Sequence, residues 1–400
     1  LNALAGKLTY SNYVNGENNL TGYVKIADGL TASSKAMQTG DISFSSKDGK
    51  GSLKDGSIAP GLTYPDTQTP ESSKLNSGIT GDAKADYNYK KNGILKADGK
   101  YIFTQNPSAI EVSEGAAVDV NGKNIEIDTT NALLEMKGAD AGINAVDANV
   151  NIKGDTNISG ETGIIANNSN VTMAGGSKII GRGGKAISAL GGGKVRIDSN
   201  LPLYIRGLIY ARSGQIYLKG GNGSNIEGDL EASDGGEVDV NLSGDGNVLW
   251  GAYRTDENSC VKVYIDEGAT WNLTDGEDET KAEGKSLLRM AKGAADAGLT
   301  INGGKTEAEK GFLDMTKRTK TLDIAHYSGW ETIIYNHEGA GDKVTDYKSG
   351  NTIISKADKD SGVILSTDNS GIAMNDKKAV EAALAALAQK VTYKDHAANG

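Results

Sequence analysis

Residues 187–197 read ISALGGGKVRI, residues 209–218 read IYARSGQIYL and residues 230–240 read LEASDGGEVDV. Each stretch opens on a large aliphatic residue, has an alanine two positions later, and closes on two aliphatic residues separated by one outward position. The opening residue returns every 20 to 23 residues, with an alanine after it each time, at Ile143, Ile164, Ile187, Ile209, Leu230 and Trp250, followed by Ala145, Ala166, Ala189, Ala211, Ala232 and Ala252. Such an interval is typical of one coil of a parallel β-solenoid, in which each coil stacks its apolar residues on the next.

Two more strands complete each predicted coil. One carries alternating aliphatic pairs, at Val150 and Ile152, Val171 and Met173, Val195 and Ile197, Ile216 and Leu218, Val238 and Val240, and Val261 and Val263. The other ends in Ile-x-Gly, at Ile158, Ile179, Ile205 and Ile226. The Asn, Gly, Ser and Asp residues between the strands suit tight corners. An antiparallel sandwich has similar strands, but it does not predict the same residue types in every third strand.

The prediction is therefore an all-β fold, a right-handed parallel β-helix (β-solenoid) of about nine coils with a C-terminal β cap and a short terminal α-helix. The expected order is a helix end plus small β module, a linker, the β-helix, a capping region and a connecting helix, at residues 1–60, 61–78, 79–300, 301–375 and 376–393. The helix is predicted from an N-cap at Asn375 or Asp376 and an apolar stripe at Val380, Leu384, Leu387 and Val391.

The two ends of the chain resemble each other. Residues 1–10 read LNALAGKLTY and residues 384–393 read LAALAQKVTY, which are identical at seven of ten positions at a constant offset of 383. Asn15-Gly16 returns as Asn399-Gly400 with one residue inserted. We interpret the chain, which opens without Met inside a helical pattern, as about one period of a longer tandem array.

Composition limits the function classes. The net charge is −10, the isoelectric point is near 5.0, and 54 of 400 residues are glycine. An acidic chain of this kind disfavours binding to nucleic acid or anionic lipid, and no apolar run reaches the length of a membrane span. The single cysteine, Cys260, cannot form an internal disulfide and is predicted to be a packed structural thiol.

Two segments resemble a known family. The Gly/Asn-rich coil pattern of residues 100–300 and the sequence TLDIAHYSGWETIIY at 321–335 resemble the passenger region of Gram-negative autotransporter (type V secretion) proteins, the pertactin-like and haemagglutinin-like adhesins. The second segment resembles the autochaperone cap that ends such passengers. The resemblance implies display at the cell surface, on the outer membrane, and adhesive or structural work.

A solenoid that cleaves polysaccharide would need carboxylates converging on one face. The residues two positions after each alanine are Asp147, Asn168, Gly191, Ser213, Asp234 and Arg254, and the outward residues before each alanine are Asn144, Ile165, Ser188, Tyr210, Glu231 and Gly251. Neighbouring coils do not both carry an acid in either column. The chain is therefore predicted to be non-catalytic, with a polysaccharide lyase or hydrolase and a structural surface-layer or stalk spacer as alternatives.

No metal or cofactor is predicted. His326, His337 and His396 lack the spacing of a metal site. Residues 220–225, GGNGSN, are similar to a calcium-binding glycine motif, but Asn225 replaces its aspartate, so an ordinary corner is expected.

One surface patch is predicted to contact a ligand. If the aliphatic residues of one coil point inward, then Tyr204, Tyr210 and Tyr217 point outward, with Arg206 and Arg212 nearby. Exposed tyrosines and arginines are typical of protein- or sugar-binding surfaces, although tyrosine also favours strand surfaces for its own sake. The expected partners are a protein or glycan on a host or bacterial surface, and further copies of the same repeat.

Overall fold

The computed structural model describes residues 98–103, 108–112, 114–275, 298–338, 346–367, 372 and 375–394, with the backbone of six short strands between residues 8 and 80. The predicted linker at 61–78 and His396 lie outside the described residues. The chain divides into two compact units, Leu1–Ile165 with Ser169–Gly175, and Ala166–Asn168 with Gly176–Gly400.

The first unit begins with a small antiparallel sheet and continues as parallel coils. Its strands are β1 (Leu8–Tyr10), β2 (Tyr23–Ile26), β3 (Leu30–Ser33), β4 (Ile42–Ser46), β5 (Ser57–Ile58), β6 (Ile79–Thr80), β7 (Gly99–Phe103), β8 (Ser108–Glu111), β9 (Ala116–Asn121), β10 (Asn124–Lys137), β11 (Ala141–Val146), β12 (Asn149–Asn167) and β13 (Asn170–Ala174). Strands β1 to β5 pair antiparallel in chain order. From β7 onward, each strand pairs parallel with a strand one coil away.

The second unit has the same parallel pattern within itself. Its strands are β14 (Ser177–Leu190), β15 (Lys194–Asp198), β16 (Leu203–Arg212), β17 (Gln215–Lys219), β18 (Asn225–Glu227), β19 (Leu230–Ser233), β20 (Glu237–Ser243), β21 (Val248–Gly251), β22 (Tyr253–Thr255), β23 (Cys260–Asp266), β24 (Thr270–Leu273), β25 (Gly298–Asn302), β26 (Gly311–Asp314), β27 (Leu322–Ile324), β28 (His326–Ser328), β29 (Trp330–Tyr335), β30 (His337–Glu338), β31 (Asp346–Tyr347), β32 (Thr352–Ile354), β33 (Gly362–Thr367) and β34 (Val391–Tyr393). A 3-10 turn spans Glu307–Glu309 and helix α1 spans Lys377–Ala388.

Three ladders of stacked strands form the coils of the second unit. Ladder A stacks Ile179, Ile205, Ile226, Leu249, Trp271, Leu313, Ile333 and Leu365. Ladder B stacks Ile187, Ile209, Leu230 and Tyr253. Ladder C stacks Ile197, Leu218, Val240, Val263, Ile301 and Tyr327. Most of these side chains are fully buried, because strand alternation turns every second residue into the core.

The predicted parallel β-solenoid is confirmed, with about nine turns. The first unit has equivalent stacks, such as Tyr101 on Ile127 on Ile152 on Met173. The aliphatic pairs and the Ile-x-Gly strands occupy the predicted ladders, because each of these positions is repeated at the offset of one coil.

The column two positions after each alanine has a backbone role. Asp147, Asn168, Gly191, Ser213 and Asp234 all have a left-handed backbone, with φ between 48° and 55°. Glycine, Asn and Asp tolerate this conformation best, so this corner selects the small polar residues found there. The corners also bond from coil to coil, as when the Ser213 amide donates to the carbonyl of Ser233 at 3.0 Å.

Trp250 does not belong to the predicted ladder. The residue that stacks on Leu230 is Tyr253, whereas Trp250 lies on ladder A beside Glu227 and Asn272 and is 37% exposed. The interval from Leu230 is therefore 23 residues rather than 20. The prediction was wrong here because Ala252 follows Trp250 by two residues, which is the spacing seen in the other coils. The strand has nevertheless shifted in register.

The parallel pairing continues past residue 300. Strand β28 stacks on β25, and β33 stacks on β29, which stacks on β26. Strands β27, β32 and β34 then form a separate parallel sheet, and helix α1 packs against β31 and β33. No helix among the described residues is long and apolar enough to cross a membrane.

The N-cap of the last helix is confirmed at Asp376, whereas the predicted apolar stripe is confirmed only at Leu387, and Val391 lies in β34. The Asp376 carboxylate accepts the amides of Lys378 and Ala379. The buried face consists of Ala379, Ala383 and Leu387, while Leu384 is exposed. The small alanines bring the helix close to its neighbours, and the hydroxyl of Tyr347 donates to the carbonyl of Ala383 at 2.8 Å.

Candidate binding surface

The five predicted site residues point outward, but they lie on three different ladders. Tyr204 and Arg206 are on ladder A, Tyr210 and Arg212 are on ladder B, and Tyr217 is on ladder C. Along the chain, Gly207 with φ of 120° separates the ladder A and ladder B positions, and Ser213 with φ of 51° separates those of ladders B and C. The structure therefore presents three separate positions, and a ligand role for each stays a prediction.

Each of the three tyrosines stacks with a cation. Lys178 Nζ lies 5.3 Å from the ring centre of Tyr204, and Lys185 Nζ lies 5.2 Å from that of Tyr210. The Arg196 guanidinium lies 4.1 Å from the ring of Tyr217, directly opposite it in the ladder. Each contact contributes about 0.5–1 kcal/mol at an exposed site, so the rings help to fix coil on coil.

The two arginines have carboxylate partners in the coil that follows. Arg206 Nε lies 3.8 Å from Glu227, and Arg212 Nε donates to Asp234 at 2.7 Å. A ligand anion would have to compete with these carboxylates. The arginines therefore form ion pairs between neighbouring coils. The tyrosine rings are the better contacts for an uncharged partner.

Ladder C carries a polar cluster that the sequence reading did not single out. Tyr217, Asp239 and Lys262 are stacked outward residues on successive strands, and Asn241 and Tyr264 are the next outward pair. We call these five residues the ladder C patch. The sequence does indicate this cluster, because polar and aliphatic residues alternate in EVDVN at 237–241 and in KVYID at 262–266, one coil apart.

Burial perturbs the ionisable groups of the ladder C patch. Burial, reinforced by the charge of Glu237, raises the pKa of Asp239 to about 6, against the opposing effects of Lys262 and Arg196. Burial also raises the pKa of Tyr264. Within the described part of the chain, Oδ1 of Asp239 and Oδ1 of Asn241 are buried without a hydrogen-bond partner.

The ladder C patch combines two phenol rings with a carboxyl, an amide and an ammonium group. Rings supply flat apolar contact, and the polar groups supply directional hydrogen bonds, which is the combination a polyhydroxylated ligand needs. Glu237 lies on the same strand face and is paired with Lys262 at 2.8 Å. The Cα atoms of Glu237 and Asp239 are about 6.8 Å apart, from the rise of a β-strand.

The sequence predicts no metal site at the three histidines. His326 Nε2 lies 2.8 Å from Asp358, His337 is buried, and His396 is outside the described residues. Among the residues that the structure describes, no three His, Cys, Asp or Glu side chains are grouped to hold a metal ion. Cys260 is buried, as predicted. Residues 220–224 form the expected corner between β17 and β18, and Asn225 is the first residue of β18.

Comparison with family models, curated proteins and solved structures found no match to this chain. The structure establishes a parallel β-solenoid. The resemblance to autotransporter passengers is used only as support for the proposed function.

Proposed function

We propose that this chain is a non-catalytic repeat unit of a cell-surface adhesin or surface fibre, the passenger of an autotransporter-like protein displayed on the Gram-negative outer membrane. The observation that carries the proposal is ladder A, which stacks eight inward residues from Ile179 to Leu365 in one parallel column. Coils that contact only their neighbours form a stiff scaffold with a repeated outer surface.

The outer surface supports binding. Tyr204, Tyr210 and Tyr217 are partly exposed and each stacks on a cation, and a tyrosine ring loses little side-chain entropy when a partner covers it. The partner is a protein or glycan of a host or bacterial surface. Since the three rings lie on different ladders, one partner is expected to engage one ladder.

The test is binding of the purified 400-residue chain to arrays of glycans and of extracellular-matrix proteins. Three variants separate the ladders: Tyr204→Ala with Arg206→Ala, Tyr210→Ala with Arg212→Ala, and Tyr217→Ala. One variant should weaken binding at least about 10-fold, the loss expected of a central aromatic contact, while the other two stay near the parent. Unchanged binding in all three would overturn the assignment to these residues. Absence of any binding would favour a structural spacer.

A second candidate function, polysaccharide cleavage, is favoured by one observation. Asp239 has a raised pKa and Glu237 is held by Lys262, so two carboxyl groups on one strand face have different environments. Such a pair can divide acid and base roles.

Release of reducing ends or unsaturated products from neutral and acidic polysaccharides would support cleavage. The activity should disappear in Asp239→Asn. The matched control is Asp198→Asn, an outward acid on the same ladder. If the parent chain releases no products, the cleavage candidate fails and the non-catalytic proposal stands. If it does release products and Asp239→Asn and Asp198→Asn remain equally active, Asp239 is not the catalytic group.

A further inference from the structure

The sequence shared by the two ends of the chain forms a strand in both places, but with different partners. At 391–393 it is β34, the last strand of the parallel sheet β27-β32-β34. At 8–10 it is β1, the first strand of the antiparallel sheet β1 to β5, where Leu8 faces Ile26 and Tyr10 faces Val24. The same short sequence therefore ends one sheet and begins another.

The hydrogen bonds of β34 show which of its edges is already paired within this chain. The Lys390 carbonyl accepts the Thr352 amide at 2.7 Å, and the Lys394 amide donates to the Ile354 carbonyl at 2.9 Å. These groups fix the edge that faces β32. Because successive residues of a strand direct their amide and carbonyl groups to alternate edges, those of Val391 point away from β32. Leu8, which corresponds to Val391, is paired with Ile26 of β2 in the other sheet.

Exposed apolar side chains at this end are also shared. Leu384 is 58% exposed and Tyr393 is 42% exposed, and they are two of the four large apolar side chains exposed among the described residues. Both recur in the first ten residues, as Leu1 and Tyr10. A repeated sequence that keeps two exposed large apolar residues is suited to a surface that a partner covers.

We propose that β34 is a junction strand that belongs to two repeats at once. Its first edge pairs parallel with β32, and its second edge pairs antiparallel with the strand equivalent to β2 of a following copy. Val391 then faces Ile26 of that copy, and Tyr393 faces its Val24. The inference rests on the tandem organisation within the proposed function. The connection between two repeats is then continuously hydrogen-bonded and rigid, because a strand that is paired on both edges cannot act as a hinge.

The test extends the chain after Gly400 with a second copy of residues 17–60, which supplies the next β2. Hydrogen exchange at the Val391 amide should slow at least about 100-fold relative to the unextended chain, as expected when a solvated amide joins a ladder. Proline in place of Val24 in the appended copy should restore the fast rate. An unchanged Val391 rate in the extended chain would overturn the proposal.

Disulfide trapping gives an independent readout of register. Tyr393→Cys in the extended chain, combined with Val24→Cys in the appended copy, places two thiols directly opposite each other, within bonding range for paired strands. Thr392→Cys with the same Val24→Cys is the matched control, one residue out of register and on the opposite face. Efficient bonding of the first pair alone supports the junction, and equal or absent bonding in both overturns it. Neither readout involves ligand binding, so failure of the adhesin proposal would leave these results unaffected.

Discussion

The middle coils of the second unit and its last coils solve the same packing problem differently. In the middle, ladder A stacks Ile205 on Ile226 at an interval of 21 residues, and the inward side chains are aliphatic. In the last coils the intervals are 42 residues from Trp271 to Leu313 and 32 from Ile333 to Leu365. In regular coils, similar side chains stack on one another, so a residue and the residue stacked on it in the next coil are separated by a nearly constant number of positions in the sequence. The last coils have more residues between stacked positions, and side chains of other kinds fill their inward positions.

The other kinds are aromatic side chains and one buried acid. Trp271, Tyr327 and Tyr335 are fully buried, and each uses its polar atom in a hydrogen bond, to Gly251, Gly362 and Thr352 respectively. Glu331 is also fully buried, at an inward position opposite Gly311. Larger and more varied side chains close the core where the coil no longer repeats. The last coils should therefore be the more sensitive to single changes.

The largest effect is expected from Trp271→Ala. The indole is fully buried, its Nε1 donates to the Gly251 carbonyl at 3.0 Å, and its ring meets that of Tyr253 edge-on. Its loss should lower the free energy of unfolding by about 3–5 kcal/mol. Trp250→Ala is the control, since this indole is exposed beneath Lys317 and should cost about 1 kcal/mol or less. Denaturant unfolding of both variants measures the difference, and equal losses would contradict the assigned register.

The next effect concerns the pH dependence of the last coils. Burial, reinforced by Asp266, raises the pKa of Glu331 to about 10, and both carboxyl oxygens lack a hydrogen-bond partner among the described residues. Tyr327 is the other ionisable neighbour, and its own pKa is raised by burial and by Glu331. The folded state keeps a proton that the unfolded state releases near pH 4.5. Stability should therefore be fully present below that pH and fall as the pH rises toward 10.

Thermal unfolding between pH 4 and 10 measures this fall. Glu331→Gln should flatten the profile, and Glu331→Leu should also raise stability at pH 8 by about 1–3 kcal/mol, because it removes an unpartnered buried polar group. Glu227→Gln, an outward acid on ladder A, should leave the profile unchanged. A profile that falls as steeply in Glu331→Gln as in the parent would rule out Glu331 as its source.

A smaller effect is expected at the corners of the middle coils. Ser213 has φ of 51°, its amide donates to Ser233, and its hydroxyl donates to the Asp234 carbonyl at 2.8 Å. Ser213→Val should cost about 1–2 kcal/mol, since a β-branched residue disfavours the left-handed conformation. Ser213→Asn should be nearly neutral. Melting temperatures that fall equally for Val and Asn would show that the corner conformation is not the cause.

The smallest effect is expected in the asparagine stack of the first unit. Asn170 Nδ2 donates to Asn149 Oδ1 at 2.8 Å, and Asn149 Nδ2 donates to Asn124 Oδ1 at 2.5 Å. Asn149→Ala removes both bonds at an exposed edge and should cost about 0.5–1.5 kcal/mol. Asn151→Ala, two residues along the same strand, is the control. Similar denaturation midpoints for the two variants would mean that the stack contributes nothing measurable.

The coil pattern was predictable because a parallel solenoid makes tertiary neighbours out of residues at one sequence offset. Ladder C shows this at Ile216, Val238 and Val261, which stack as predicted. The site was less predictable. The alternation correctly placed Tyr204, Tyr210 and Tyr217 outward, but it gave no information on which ladder each ring joins. The raised pKa of Asp239 arises from neighbours on adjacent coils, so it has no local sequence signal.

By itself, the sequence determined the parallel stacking, the identity of the inward residues in the regular coils, the N-cap at Asp376 and the similarity between the two ends of the chain. Each of these depends on a periodicity or on a contact within one turn of backbone. The tertiary structure alone decided that Trp250 lies outside, that Glu331 lies inside, that the helix buries Ala379 and Ala383 rather than Leu384, and that the predicted patch divides among three ladders. These outcomes depend on where the coil bends and on loop lengths, which place residues of unrelated spacing against one another.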